Sequence, residues 1–270
     1  MANSTKSENN LAPLHRHGTI LHGIRALPMP SDITVLYLFE TDKELKQHPL
    51  YIAAKAGDVG SALGLVSDLA LATIYGATAR FTKEDIFVAP HAKEATGDNA
   101  IPQVFAEVCA LVYEASTDTD IVQSTRVYHT GADPMERLVF RPQFEGAVKP
   151  GGRYVLVDDV TSLGGTLAEL AHYIQANGGL VQDVFVLVNA GRQKALAPNK
   201  MVLKKLAARY ANDISETFGV AIEALTCNEA QYLVGFRSAD ELRNRVLKAR
   251  QEVHLRLRSK GISSDGAAQT

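Results

Sequence analysis

Residues 154–166 read YVLVDDVTSLGGT. Four apolar residues, Tyr154 to Val157, lead straight into two adjacent carboxylates, Asp158 and Asp159, and then into a turn of hydroxyls and glycines. An unbroken apolar run rich in aromatic and β-branched residues reads as a buried strand. Neighbouring carboxylates repel one another unless a cation or hydroxyl donors share the site. A strand that ends on such a pair is therefore expected to end at a ligand. The turn offers backbone N–H groups, the hydroxyls of Thr161, Ser162 and Thr166, and the start of a helix. Those groups together suit a phosphate. The stretch reads as a site for a ligand that carries both hydroxyls and phosphate.

Outward from this stretch, strand and helix patterns alternate. Strands are expected at 33–39, 86–89, 121–127, 154–157 and 181–189. Helices are expected at 101–115 and at 166–177, the latter stopped by Gly178 and Gly179. The stretch 50–75 has helical spacing, and its glycines, in GDVGSALG, mark small packing residues or a break. They are not spaced G-x-G-x-x-G and do not follow directly on a strand. The alternation argues for a parallel sheet with helices on its faces, where ligands bind beyond the carboxyl ends of the strands. From about 198 the pattern is helical, over 200–218, 222–236 and 239–259. There is no internal repeat.

Composition narrows the function. With 28 basic against 30 acidic residues the formal charge is −2, so a globally basic nucleic-acid binder is not expected. The two cysteines, Cys109 and Cys227, lie far apart and fit no metal spacing, as for reduced thiols in a cytoplasmic protein. No apolar stretch is expected to be long and uninterrupted enough to span a membrane. The polar start MANSTKSENN has no signal-peptide core.

The quoted stretch resembles the phosphoribosyl-pyrophosphate motif of type I phosphoribosyltransferases, in which an apolar strand ends in two acids and a short Gly/Thr turn opens a helix. The likeness covers roughly 85–190. It implies an α/β fold with a parallel sheet of the type I phosphoribosyltransferase kind. Asp158 and Asp159 would engage the ribose hydroxyls and the magnesium shell of the donor. Val160, Thr161, Ser162, Leu163, Gly164, Gly165 and Thr166 would cradle its 5′-phosphate. The family often has an aliphatic residue where Thr161 stands and a small polar one where Leu163 stands. In the loop PHAKEATGDN, His91 and Lys93 would contact pyrophosphate. The connection YHTGADPMERLVFRPQFEG would be a closing lid that carries His129, Arg137 and Arg141, with Arg126 at the strand end that feeds it. Asn189 and Arg192 would border the acceptor.

The resemblance implies transfer of ribose 5-phosphate from phosphoribosyl pyrophosphate to a nucleobase or related nitrogen acceptor, with Mg2+ as cofactor, in a homodimer. The chain then divides into a disordered lead-in (1–18), the α/β domain with a candidate N-terminal hood (19–197), a helical extension (198–260) and a loose tail (261–270). A second reading is a non-catalytic sensor of phosphoribosyl pyrophosphate or a nucleotide, signalling through the basic C-terminal helix. That helix, 239–260, is also the place where nucleic acid would bind, although a solvated face is the default for it. An acidic metal corner, as in a receiver domain, would need acids at other strand ends. The histidines His15, His17 and His22 have no carboxylate or cysteine at ligand spacing.

Overall fold

The computed structural model describes residues 23–90, 93–94, 97–125 and 132–259. In chain order the elements are β1 (Val35–Phe39), α1 (Lys43–Gln47), α2 (Tyr51–Lys55), α3 (Val59–Gly76), β2 (Asp85–Val88), β3 (Lys93–Glu94), β4 (Gly97–Asp98), α4 (Ala100–Tyr113), β5 (Ser116–Asp118) and β6 (Val122–Gln123). Then come α5 (Pro134–Val139), β7 (Phe144–Glu145), β8 (Arg153–Thr161), α6 (Gly165–Ala176), β9 (Leu180–Asn189), α7 (Lys200–Phe218), α8 (Cys227–Val234) and α9 (Ala239–Ser259). Among the described residues, five strands form one sheet in the order β1-β9-β8-β2-β5. Every neighbouring pair is parallel. This is the α/β class expected from the strand–helix alternation, with helical additions after β9.

Alternation along β8 and β9 sends side chains to two cores. Val155, Val157, Phe185 and Leu187 pack with α3 and α4 on one face. Tyr154, Leu156, Val184 and Val186 pack with α6 on the other. A third cluster joins α5, α7, α8 and α9. The chain passes from β2 through α4 to β5 on one side and from β8 through α6 to β9 on the other. The crossovers therefore diverge between β2 and β8, and in open α/β sheets the crevice at such a point takes the ligand.

Local chemistry explains the boundaries. Gly57, at φ 103°, breaks the 50–75 stretch into α2 and α3. Asp58 then caps α3 by accepting from the Ser61 N–H at 2.6 Å. By length and composition α3 is apolar enough to cross a membrane, which corrects the expectation that no stretch would be. Here Ala62, Leu65, Val66, Ala70 and Ile74 are buried in the first core.

Two further expectations are corrected. The edge strand of the sheet is Ser116–Asp118, not 121–127. Glu114 ends α4 in the left-handed conformation and delivers the chain to the sheet edge at once. The Asp118 carboxylate then accepts from the N–H groups of Asp120 and Ile121 and turns the chain away. Val122 and Gln123 pair antiparallel with β7 instead. The connection to β8 is also not structureless. Asp133 and Glu136 form a reciprocal capping box, with Pro134 in the first turn, and so start α5.

Phe185 lies at the centre of the first core, with ring centroids 4.8 Å from Phe105 and 5.9 Å from Phe81. Phe185→Ala is expected to cost about 3–5 kcal/mol of stability, read as a lowered denaturant midpoint. A loss below about 1 kcal/mol would mean that the core closes over the cavity.

Candidate functional site

Strand geometry divides the acid pair. Asp158 shares a face with Tyr154 and Leu156, towards α6, and Asp159 shares one with Val155 and Val157, towards α3 and α4. The strand does not end on them. Pairing with β9 continues through Asp158↔Val186 to Thr161↔Asn189. Both acids are buried, at 9% and 5% exposure. Backbone pairing to β9 draws the acids into the sheet, and loops and helices cover them from either face.

Each acid meets its burial differently. The Asp159 carboxylate accepts from Lys55 Nζ of α2 and from Asn99 Nδ2, each at 2.9 Å. Asn99 also caps α4, its Oδ1 accepting from the Ile101 N–H at 3.2 Å. Burial alone would raise the Asp159 pKa, but the Lys55 charge and the hydrogen bonds outweigh it and hold the group below the usual carboxylate range. Asp158 accepts from the Asp159 N–H at 2.8 Å. Burial first, and then the charge of Asp159, push its carboxyl well above the usual range.

The turn after β8 is built for close approach. Gly164 precedes α6 at φ 80°, a conformation that disfavours a side chain. A Cβ on Gly165 would stand 2.8 Å from Glu229 Oε1. The carbonyls of the turn are tied to α8: Thr226 Oγ1 donates to Leu163 O, and Asn228 Nδ2 donates to Ser162 O at 2.8 Å. The N–H groups of the first turn of α6 have no acceptor within the helix and project from its start. Above the turn, Arg137 of α5 donates from Nη1 to Ser162 Oγ at 3.3 Å and from Nε to Ala132 O at 3.1 Å. Burial lowers its pKa from the usual arginine value; a guanidinium stays charged nonetheless. Asp158, residues 160–167, Arg137, Pro142 and Glu229 line one cleft.

Beneath the turn lies a buried ionic network. Arg25 donates to Glu169 at 3.2 Å, to Glu229, and to Gly165 O at 3.4 Å. Arg141 donates to the same Glu169. Burial raises the pKa of Glu169, opposed by the charges of Arg25 and Arg141. Two positive and two negative groups thus tie the segment before β1, the segment after α5, α6 and α8 to the underside of the turn.

The structure brings Asp158, Arg137 and Val160 to Thr166 together. Val160 and Thr161 are the last residues of β8, and Thr166 lies inside α6. Leu163 turns its side chain to the third core, against the C-terminal helices. Asn189 and Arg192 do not line the cleft. Asn189 is buried and donates to Gln193 O at 2.9 Å, which shapes its own loop. Arg192 is exposed, at φ 60°. In the segment expected to close as a lid, 132–146 holds the packed helix α5, and Arg141 is 2% exposed and ion-paired. Arg126, His129, His91 and the histidines at 15, 17 and 22 lie outside the described residues, as do 1–18 and 261–270; of Lys93 the backbone is described, in β3. Among the described residues no three His, Cys, Asp or Glu side chains gather as a metal-holding group.

Sequence reasoning missed Lys55, Asn99, Arg25, Glu169 and Glu229. Asn99 carried a signal, since it stands at the N-cap position before an apolar helical run. The other partnerships join residues more than a hundred positions apart, or helices whose packing no spacing encodes.

The fold and the site together define a parallel α/β protein in which an acid-bearing strand feeds a glycine turn and the start of a helix. No family model matches the chain. The chain is 37% identical over 214 residues, 77% of its length, to protein TraN of Escherichia coli, and spans 48% of that relative. It is 43% identical over 47 residues, 17% of its length, to an orotate phosphoribosyltransferase of Methanocaldococcus jannaschii, and spans 27% of that protein. Adenine phosphoribosyltransferase from Leishmania donovani superposes with a TM-score of 0.31 at 16% identity, over 74% of this chain and 88% of that one.

The two acids give opposite pH signatures. Asp158 has its carboxyl raised on folding. It therefore supports the folded state below the ordinary carboxylate value, and that support is lost as pH rises through its raised value. Asp159 is lowered, so its support is present above the ordinary value and lost as pH falls through its lowered one. Asp158→Asn keeps an acceptor for the Asp159 N–H and removes the buried charge. It is expected to raise the melting temperature at pH 7 and to raise it less at pH 4. An equal change at both would show that Asp158 is not strained by its charge. Leu163→Thr is expected to lose about 1–2 kcal/mol through exposure of the third core, without tightening any phosphate ligand. A tighter complex with unchanged stability would place that side chain in the cleft.

Proposed function

We propose that the chain is a type I phosphoribosyltransferase-like protein that binds phosphoribosyl pyrophosphate and transfers its ribose 5-phosphate to a nucleobase or related nitrogen acceptor. One observation carries this: Asp158, the glycine turn, the start of α6 and Arg137 line the same cleft at the carboxyl end of β8, one of the two strands between which the crossovers diverge. Helix starts bind anions, and carboxylates accept from hydroxyls. In this reading the turn and Arg137 hold the 5′-phosphate, because Arg137 stands against Ser162 and not on the far side of the acids. Asp158 accepts from a ribose hydroxyl, and Asp159 does so while sharing its charge with Lys55.

The donor set fits Mg2+ at one point. Asp158 is a buried carboxylate held above the usual range, and a neighbouring cation would relieve it. Asp159 is already neutralised by Lys55. Asp158, together with oxygens of the ligand, would therefore hold the ion, which would supply charge neutralisation to the leaving pyrophosphate. In the transfer, the acceptor nitrogen bonds to the anomeric carbon as the carbon–oxygen bond to pyrophosphate breaks. The leaving group takes the electron pair, and the acceptor gives up its proton. The chain's own work is to orient the ribose, to hold the phosphate and to keep water from competing.

A second reading draws on the ties from Thr226 and Asn228 to the turn. They link the phosphate end of the cleft directly to the C-terminal helices, as a sensor of the same ligand would require. Calorimetry with Mg2+ and phosphoribosyl pyrophosphate, with pyrophosphate release followed across a panel of bases, tests both. Binding with steady release is expected, with Asp158→Asn weakening binding roughly ten- to a hundredfold, the worth of a charged hydrogen bond. Binding without release on any base supports the sensor. Absence of binding overturns the proposal.

A further inference from the structure

The short helix that carries Arg137 is held from outside the α/β domain. Six residues do not sustain a helix by propensity alone. Two forces hold α5. Met135 and Leu138 are buried in one cluster with Leu242, Val246 and Ala249 of α9. The two carboxylates of the α5 capping box are also both ion-paired to α9. Arg245 donates to Asp133 Oδ2, and Arg256 Nη1 donates to Glu136 Oε1 and Oε2 at 3.1 and 2.8 Å. Glu136 is 4% exposed, so without Arg256 a buried charge would lose that compensation. Arg137 follows Glu136 directly and projects the other way, to Ser162 in the turn.

We propose that Arg245 and Arg256 are positioning residues: through Asp133 and Glu136, helix α9 fixes α5 and so holds Arg137 over the glycine turn before any ligand arrives. The C-terminal extension thereby completes one wall of the cleft, which a strand-to-strand loop would otherwise have to form by closing. The consequence for phosphate binding rests on the proposed function; the fixing of α5 does not.

The test compares the full chain with the variant Arg245→Gln/Arg256→Gln. In the ligand-free protein, amide hydrogen exchange over 134–139 is expected to accelerate about tenfold or more, while β8 and β9 keep their protection. Unchanged exchange in α5 overturns the proposal, as does equal acceleration throughout the sheet. If the double variant does not fold, Arg245→Gln alone, at the more exposed pair, gives the same readout. In the binding arm, phosphoribosyl pyrophosphate with Mg2+ is titrated into wild type, the double variant, Arg137→Gln and the triple variant. The double variant is expected to weaken binding at least fivefold, an effect of about 1 kcal/mol, and to add nothing once Arg137 is gone. Equal losses in both backgrounds overturn the route through Arg137. A wild type that binds no ligand defeats the phosphoribosyltransferase reading and leaves the exchange result to decide whether α9 fixes α5.

Discussion

Two adjacent carboxylates sit inside the central strand of a parallel sheet, and the surrounding structure answers that constraint. A strand turns consecutive side chains to opposite faces, so Asp158 and Asp159 meet different surroundings. Asp159 faces α2 and the start of α4, and Lys55 and Asn99 meet it there. Asp158 faces the cleft beside α6, and its charge is opposed by burial and by its neighbour. One acid is thus stabilised by the fold, and the other is left for whatever enters the cleft. Buried ionisable groups with opposed shifts of this kind gather at functional sites more often than elsewhere.

The same logic runs through the turn that follows. Its carbonyls are tied down by α8, its underside rests on the network of Arg25, Arg141, Glu169 and Glu229, and Leu163 anchors in the third core. Under the proposed function the turn presents N–H groups to an anion, and such a turn works best when it need not reorganise on binding. The C-terminal helices supply that rigidity. They are therefore part of the site's construction and not an appendage to the sheet.

Much of this architecture is written in local pattern. The strand–helix alternation, the stop at Gly178 and Gly179, the break near Gly57 and the turn after the acids are all legible, because each rests on residues within a few positions of one another. Where reading by pattern failed, a local signal was overridden or too short to see. The stretch 121–127 reads as a strand, yet Asp118 turns the chain out of the sheet before Val122. The stretch DPMERLV looks like part of a loop, because one and a half turns of helix carry no periodicity to detect; its capping box was the available sign.

By itself, the sequence determined the class of fold and which residues follow the acid-bearing strand. Hydrophobic periodicity sets element type, and a strand, an acid pair and a glycine turn in succession bring carboxylates, hydroxyls and a helix start close together along the chain. Only the tertiary structure decided which charges meet. It divided the acid pair between two faces, gave Asp159 to Lys55 across 104 residues, drew Arg141 under the turn, and set Arg137 above it on a helix braced by α9. Such pairings depend on which distant elements pack together, and packing follows from burial summed over whole faces. No single residue's neighbours in sequence record that sum.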